Sequence, residues 1–345
     1  MIPWLTHWQC APWRVLGALA TALLVALCSG PAVIASLRRR RLGERTEKTP
    51  IEDEGLRREI AAKSGTPTMG GLIIAAALLC ACLLWGRLDS PCLWLPLTCF
   101  AALAAMGIAD DWMKLTGEGH RDRGLKVRHK LLLQGALGCL LAWVWLRTGS
   151  ASGDAASALP WPALPVHGVA VLLVLWTGLV VATMSNAVNV TDGLDGLAGG
   201  LTVTALVPLG ASAWLLSPQG GGAAELPVFC AALGGAVLGF LWYNRHPARV
   251  FMGDTGSLAI GGSVGLVAVM ARSEILLPLL ACLFLAEFGS SVLQVLWFKA
   301  TGRRILPIAP LHHMFQRNGW PEKRIVASFH AVGAAAAVIC LLLLR

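Results

Sequence analysis

The chain has 345 residues, 56% of them hydrophobic and 14% charged, with a mean hydropathy of +0.66 and a formal net charge of +9. A soluble domain carries about 25% charged residues, so this composition excludes a large soluble globular unit and points to a lipid bilayer as solvent. The positive charge does not imply nucleic acid. The basic residues stand beside apolar runs, as juxtamembrane anchors do, rather than on a groove-reading basic face.

Crossing a bilayer core of about 30 Å takes about 20 apolar residues in a helix. Runs of that length predict ten spans, near 13–35, 69–86, 92–112, 129–149, 163–184, 196–216, 226–243, 256–271, 275–298 and 325–344. The expected fold is an all-α polytopic membrane protein, with residues 1–345 as one integral membrane domain. The main basic cluster, Arg38 to Arg41, follows the first run instead of preceding it. That order is the reverse of a signal peptide and predicts a retained first helix. Stretches 150–158 and 217–224 read as Gly/Ala/Ser loops, and no internal repeat is evident. The ten cysteines lie mostly in apolar runs without a CxxC pair. They read as small buried side chains, with no zinc site and no disulfide framework.

Loops after the odd-numbered spans hold 23 of the 28 Lys and Arg residues. The positive-inside rule makes those loops cytoplasmic and both termini periplasmic. Asp110, Asp111, Asp192, Asp195 and Asp254 fall in or beside three of the same loops. Far apart in sequence, they share one membrane face. That predicts an enzyme with its active site on cytoplasmic loops, whereas a transporter more often sets ionisable groups at mid-membrane.

Six segments carry candidate chemistry. Lys63-Ser64-Gly65-Thr66-Pro67-Thr68-Met69-Gly70-Gly71 has the residues of a phosphate loop but not the GxxxxGK[ST] order, and a Thr-Pro helix entry is the plainer account. Asp110-Asp111 repel each other at a helix end unless a cation or donors compensate, and Mg²⁺ takes such carboxylates together with substrate phosphate. Consecutive helical side chains diverge by about 100°, so the two do not share one ion. The run Asn186 to Gly196 sets two Asn and two Asp among glycines, beyond what a capped turn needs. Asn244 to Ser257 places Asp254 at a Gly/Ser-rich helix start, where backbone N–H groups bind anions and Asp254 or Thr255 can also cap. Glu287, Ser290, Ser291 and Gln294 share one helix face, as interhelical glue or as a substrate contact. Glu287, well inside a span, must face protein or a groove. His312-His313 sit in the last loop, as phosphate contacts or as ordinary loop histidines.

In this order, these segments resemble the polyprenyl-phosphate N-acetylhexosamine-1-phosphate transferases, and within them the phospho-N-acetylmuramoyl-pentapeptide transferases. The resembling stretches are 63–71, 110–115, 124–134, 186–200, 251–262, 287–295 and 310–322. The resemblance implies a bacterial inner-membrane enzyme, a homodimer, that uses Mg²⁺. It would join UDP-N-acetylmuramoyl-pentapeptide to undecaprenyl phosphate, giving lipid I and UMP. The sister reaction, with UDP-N-acetylglucosamine, is the alternative. Asp254 is then the expected metal ligand, with Asp192. Asp110 or Asp111 would orient or deprotonate the lipid phosphate, or an Asp would act as nucleophile in a double displacement. Lys63, Asp195 and Phe251 would line the uridine pocket. Thr68, Asn189, Asp192 and Asn244 would hold the sugar-diphosphate region, with Leu194, Ser257 and Gln294 as further substrate contacts. His312 and His313 would approach the phosphates or the sugar. One departure stands out. The family usually has three consecutive His, then one aromatic and an acid, where this chain has His312-His313-Met314-Phe315-Gln316.

Overall fold

A computed structural model of the chain describes residues 12–40, 43, 63–116, 124–148, 166–215 and 224–344. The predicted loop 150–158, and 217–224 except for Ala224, lie outside them, as do Arg41, Arg45, Lys48, Arg57, Arg58, Arg121 and Arg123 of the charge count. The architecture is all helical: α1 (Pro12–Arg39), α2 (Gly71–Trp85), α3 (Pro91–Thr116), α4 (Val127–Arg147), α5 (Val166–Thr191), α6 (Leu197–Leu215), α7 (Glu225–Asn244), α8 (Gly253–Met270), α9 (Leu277–Leu280), α10 (Cys282–Thr301), α11 (Leu311–Arg317) and α12 (Glu322–Leu343). In lipid each backbone N–H and C=O must bond within its own segment, which is why apolar runs of this length become helices.

Among the described residues nine helices are long and apolar enough to cross a membrane. The second expected span, 69–86, is α2, which has 15 residues, about 22 Å at 1.5 Å per residue. Residues ahead of it fold back onto the α7–α8 connection instead of continuing the helix: the Gly70 and Gly71 amides donate to Phe251 O and Met252 O at 2.8 and 3.0 Å. The ninth expected span is two helices, because the chain turns at Ala281 between α9 and α10. The His pair lies on a short helix, α11, rather than in open loop.

Helix α8 is the axis of the body, with every residue from Asp254 to Met270 buried. α2, α3 and α5 pack on it, α4 packs on α5, and α1 and α6 pack on α7. Small residues let the backbones meet. A Cβ on Gly71 would fall 2.3 Å from Gly256 N, one on Gly107 2.2 Å from Asp254 O, and one on Gly261 2.3 Å from Met184 O. The outward side is the reverse: Leu293, Leu296, Trp297 and Phe298 of α10 are exposed, as lipid-facing side chains are. The helices alternate in direction. The ends of α3, α5 and α7 and the starts of α2, α4, α6 and α8 therefore gather at one end of the body.

Candidate active site

At that end lies a cavity of about 490 Å³. Eleven of the fifteen residues singled out from sequence line it: Lys63, Thr68, Asp111, Asn189, Asp192 and Leu194, and then Asp195, Asn244, Phe251, Asp254 and His313. Asp110, Ser257, His312 and Gln294 stand behind the wall or away from it. Lys114 is a lining residue that sequence reasoning missed. Its signal was present, four residues after Asp110 on the same helix face.

The two adjacent aspartates part ways, as a 100° step requires. Asp110 is wholly buried. Its Oδ1 accepts from Leu125 N–H at 2.6 Å, and its Oδ2 faces the Lys130 and Lys114 ammoniums, each at 2.7 Å. Asp111 turns to α8, where it accepts from Asp254 N–H (3.2 Å), Thr255 N–H (3.0 Å) and the Thr255 hydroxyl (2.8 Å). The N-terminal amides of α8 are thus capped by a carboxylate from α3, not by Asp254 or Thr255. This frees Asp254 for other partners. Its Oδ1 accepts from Asn189 Nδ2 at 2.9 Å, and its Oδ2 lies 2.6 Å from Lys130 Nζ and 3.1 Å from Lys114 Nζ. Ser257, fully buried, accepts from the same Asn189 amide at 2.8 Å and donates to Gly253 O. Gly253 has φ +71°, and a Cβ there would fall 2.7 Å from Asp111 Oδ2 and 2.8 Å from Thr68 Oγ1, so glycine is required.

A second group adjoins the first. Lys63 Nζ bridges Asp195 Oδ1 and Glu322 Oε1, each at 2.7 Å. Glu322 Oε1 also accepts from Asp195 N–H at 2.7 Å, while His246 Nδ1 lies 3.0 Å from Asp195 Oδ2. Burial alone would lower the Lys63 pKa, but the hydrogen bonds to Asp195 and Glu322 outweigh it and hold the ammonium above the ordinary lysine value. Glu322 and His246 were not among the expected residues, since partners 127 and 51 positions from Asp195 leave no local pattern. Asn244 clamps the turn, accepting from Gly196 N–H and donating to Val250 O, both at 3.0 Å.

The α11 histidines differ in setting. His312 is fully buried, and its ring Nδ1 and backbone N–H both meet the Glu287 carboxylate at 3.0 Å. Its Nε2 lies against Gly193, where a Cβ would come within 2.3 Å. Residue 193 is therefore glycine for close approach. His313 faces the cavity, with Nδ1 2.7 Å from Gln316 Oε1. Burial, with the neighbouring His312, pushes its pKa down to about 4. Gln294 of α10 is half-buried, and its carbonyl accepts from Leu306 N–H at 2.9 Å, tying the following loop to the helix.

Asp192 and Asp254 turn carboxylates to one cavity. Hard oxygen donors of this kind suit Mg²⁺, and the ammoniums on Asp254 Oδ2 supply positive charge at the same point. Among the described residues, three possible ligands, Asp195, His246 and Glu322, also come together in the adjoining group. There Lys63 already provides the cation. The arrangement as a whole sets ammoniums beside carboxylates at the end of a membrane-spanning body, as transfer of a phosphate-linked group requires.

Comparison with known proteins agrees with this chemistry. Residues 93–272 match the model of glycosyl transferase family 4. Residues 63–74 match the phospho-N-acetylmuramoyl-pentapeptide-transferase signature 1. The chain is 40% identical to the phospho-N-acetylmuramoyl-pentapeptide-transferase of Gemmatimonas aurantiaca, over 96% of this chain and 93% of that protein. It is 41% identical to the one of Granulibacter bethesdensis, over 95% and 92%.

Proposed function

The chain belongs to glycosyl transferase family 4 and, within it, to the phospho-N-acetylmuramoyl-pentapeptide-transferases, and from that premise we propose that it makes lipid I on the cytoplasmic face of the bacterial inner membrane. The donor is UDP-N-acetylmuramoyl-pentapeptide and the acceptor undecaprenyl phosphate. A phosphate oxygen of the acceptor forms a bond to the β-phosphorus of the donor, the bond to the UMP oxygen breaks, and UMP leaves. The enzyme would thereby carry out the first membrane step of peptidoglycan synthesis, on which cell shape and division depend. We read residues 1–345 as one transferase domain acting as a homodimer.

The observation that carries this reading is the meeting of Lys114 and Lys130 on Asp254 Oδ2 at the cavity wall. Phosphoryl transfer is catalysed mainly by positioning and charge neutralisation. Lys114, nearly half exposed, is free to turn from carboxylate to a phosphate oxygen, while Lys130 stays anchored by Asp110. Asp254 and Asp192 would hold Mg²⁺, which when bound neutralises the diphosphate. Lys63, Asp195 and Phe251 receive the uridine, and Asn189 orients Asp254. The acceptor phosphate has a second pKa of about 6, so it needs little help to lose a proton.

The test is UMP release and lipid-linked product formation by purified protein, with UDP-N-acetylmuramoyl-pentapeptide and UDP-N-acetylglucosamine assayed side by side. Turnover with the muramoyl donor, lost on chelation and restored by Mg²⁺, is the expected result. Turnover with the glucosamine donor alone would move the chain to the sister reaction, and no product with either donor would overturn the proposal.

A further inference from the structure

Three residues that meet at the site stand on three different helices: Lys130 on α4, Asn189 on α5 and Asp254 on α8. One turn deeper on each helix, four residues away, lie Gln134, Ser185 and Leu258. These three also meet. Gln134 Nε2 donates to Ser185 Oγ at 3.0 Å, and Ser185 Oγ donates to Leu258 O at 3.0 Å. Asn186 closes the group, its Nδ2 reaching Gln134 Oε1 at 2.5 Å and Ala182 O at 2.7 Å. Gln134 and Ser185 are both 0% exposed, so water does not take the place of either partner.

We propose that Gln134, Ser185 and Asn186 form a brace that holds α4, α5 and α8 in register, and so act as positioning residues for Lys130, Asn189 and Asp254. The inference rests on the reading of the site as a phosphosugar transferase. Four residues of helix are about 6 Å, so a slip in this layer passes almost undiminished to the layer above. An error of about 1 Å among charged groups at a reacting phosphate costs about 100-fold in rate. The helices are close enough for the brace to be stiff. A Cβ on Gly138 of α4 would fall 2.9 Å from Gly178 Cα of α5, and Gly261 of α8 abuts Met184 and Ser185.

General interhelical adhesion makes a different prediction from positioning, and the substitutions separate the two. Gln134→Met keeps the side-chain volume and leaves one donor without its partner, the N–H of half-buried Asn186 that meets Gln134 Oε1. Ser185 still has Leu258 O, and Asn186 still has Ala182 O. Only the tie to α4 is cut. In the UMP-release assay the expected result is kcat lowered about 10- to 100-fold. The KM of each substrate should stay within about threefold, with little change in the melting temperature in detergent. Ser185→Ala, which cuts the tie to α8, should lower kcat to a similar extent. The double variant should be no worse than either single one, because both act through one network. Wild-type turnover is the control for the reaction itself: its absence would sink the transferase reading, not the brace. Active wild type with Gln134→Met at full kcat would overturn the brace. So would additive losses in the double variant, or failure of both single variants to fold.

Discussion

The two ends of the helical body each bury carboxylates against cations, in different ways. At the far end Arg14 of α1 forms a two-pronged pair with Glu225 of α7, at 2.9 and 2.7 Å. The remaining polarity is used up by backbone. Arg14 also donates to Trp85 O at 2.6 and 2.9 Å, and Glu225 accepts from Arg87 N–H at 3.0 Å. Both side chains are nearly sealed. At the near end Asp254 shares one oxygen between two lysines, one of them half-exposed, beside a cavity. A rigid guanidinium fork suits the closed end, and flexible ammoniums suit the open one. A buried ion pair is thus common to both ends; a movable cation with room beside it is what sets the proposed site apart.

Substituting one acid at each end tests that contrast. Asp254→Asn should lower UMP release by about 10³-fold with the protein still folded, because it removes the shared carboxylate and leaves the lysines to Asp110. Glu225→Gln should do the opposite. It leaves the Arg14 charge buried without a full counter-ion, which costs about 3–5 kcal/mol of stability, while turnover per folded molecule is unchanged. Melting temperature and specific activity, measured on both variants, check the pair. A Glu225→Gln protein that is stable but inactive would dissolve the distinction between the ends.

This contrast was half legible in the sequence. The near end announced itself, since Asp110, Asp192 and Asp254 stand at the ends of apolar runs with glycine and asparagine around them. The far end did not, because Arg14 and Glu225 are single charges 211 positions apart. Helix positions were readable because lipid forces apolar runs into helices. Boundaries set by distant contacts were not: α8 starts at Gly253, three residues before the expected span, because Asp111 of α3 caps it. Lys130 and Glu322 were hidden for the same reason: Lys130 meets Asp254 across 124 residues, and Glu322 meets Lys63 across 259.

A subtler test lies at the edge of the cavity, where this chain has Gln316 in place of the family's acid. His313, with its pKa near 4, is neutral at physiological pH. The sign follows from proton binding: between pH 4 and the ordinary histidine value of 6.5 the unfolded chain holds a proton that the native protein does not. Stability tied to His313 is therefore complete above that window and falls as pH drops through it. Gln316→Glu would place a carboxylate where Gln316 Oε1 now meets Nδ1 at 2.7 Å, raising the His313 pKa by about 1–3 units. The loss of melting temperature on acidification should then shrink. An unchanged profile would show that burial, not the neighbouring amide, governs this histidine.

The smallest effect is expected at the other departure, Met314. Two ring systems already occupy the positions nearest the turn: His312 sits against Gly193 under Glu287, and His313 faces the cavity. Met314 is half-buried on the same short helix and does not line the cavity. A thioether there offers at most a weak acceptor, so nothing in the observed network depends on a third imidazole. Met314→His should leave kcat/KM within an order of magnitude of the wild type, equivalent to less than about 1.4 kcal/mol in the transition state. A larger gain would mean that the cavity extends past His313 when substrate is bound. A larger loss would mean that the methionine packs against the substrate and that this wall of the site is built differently from the rest.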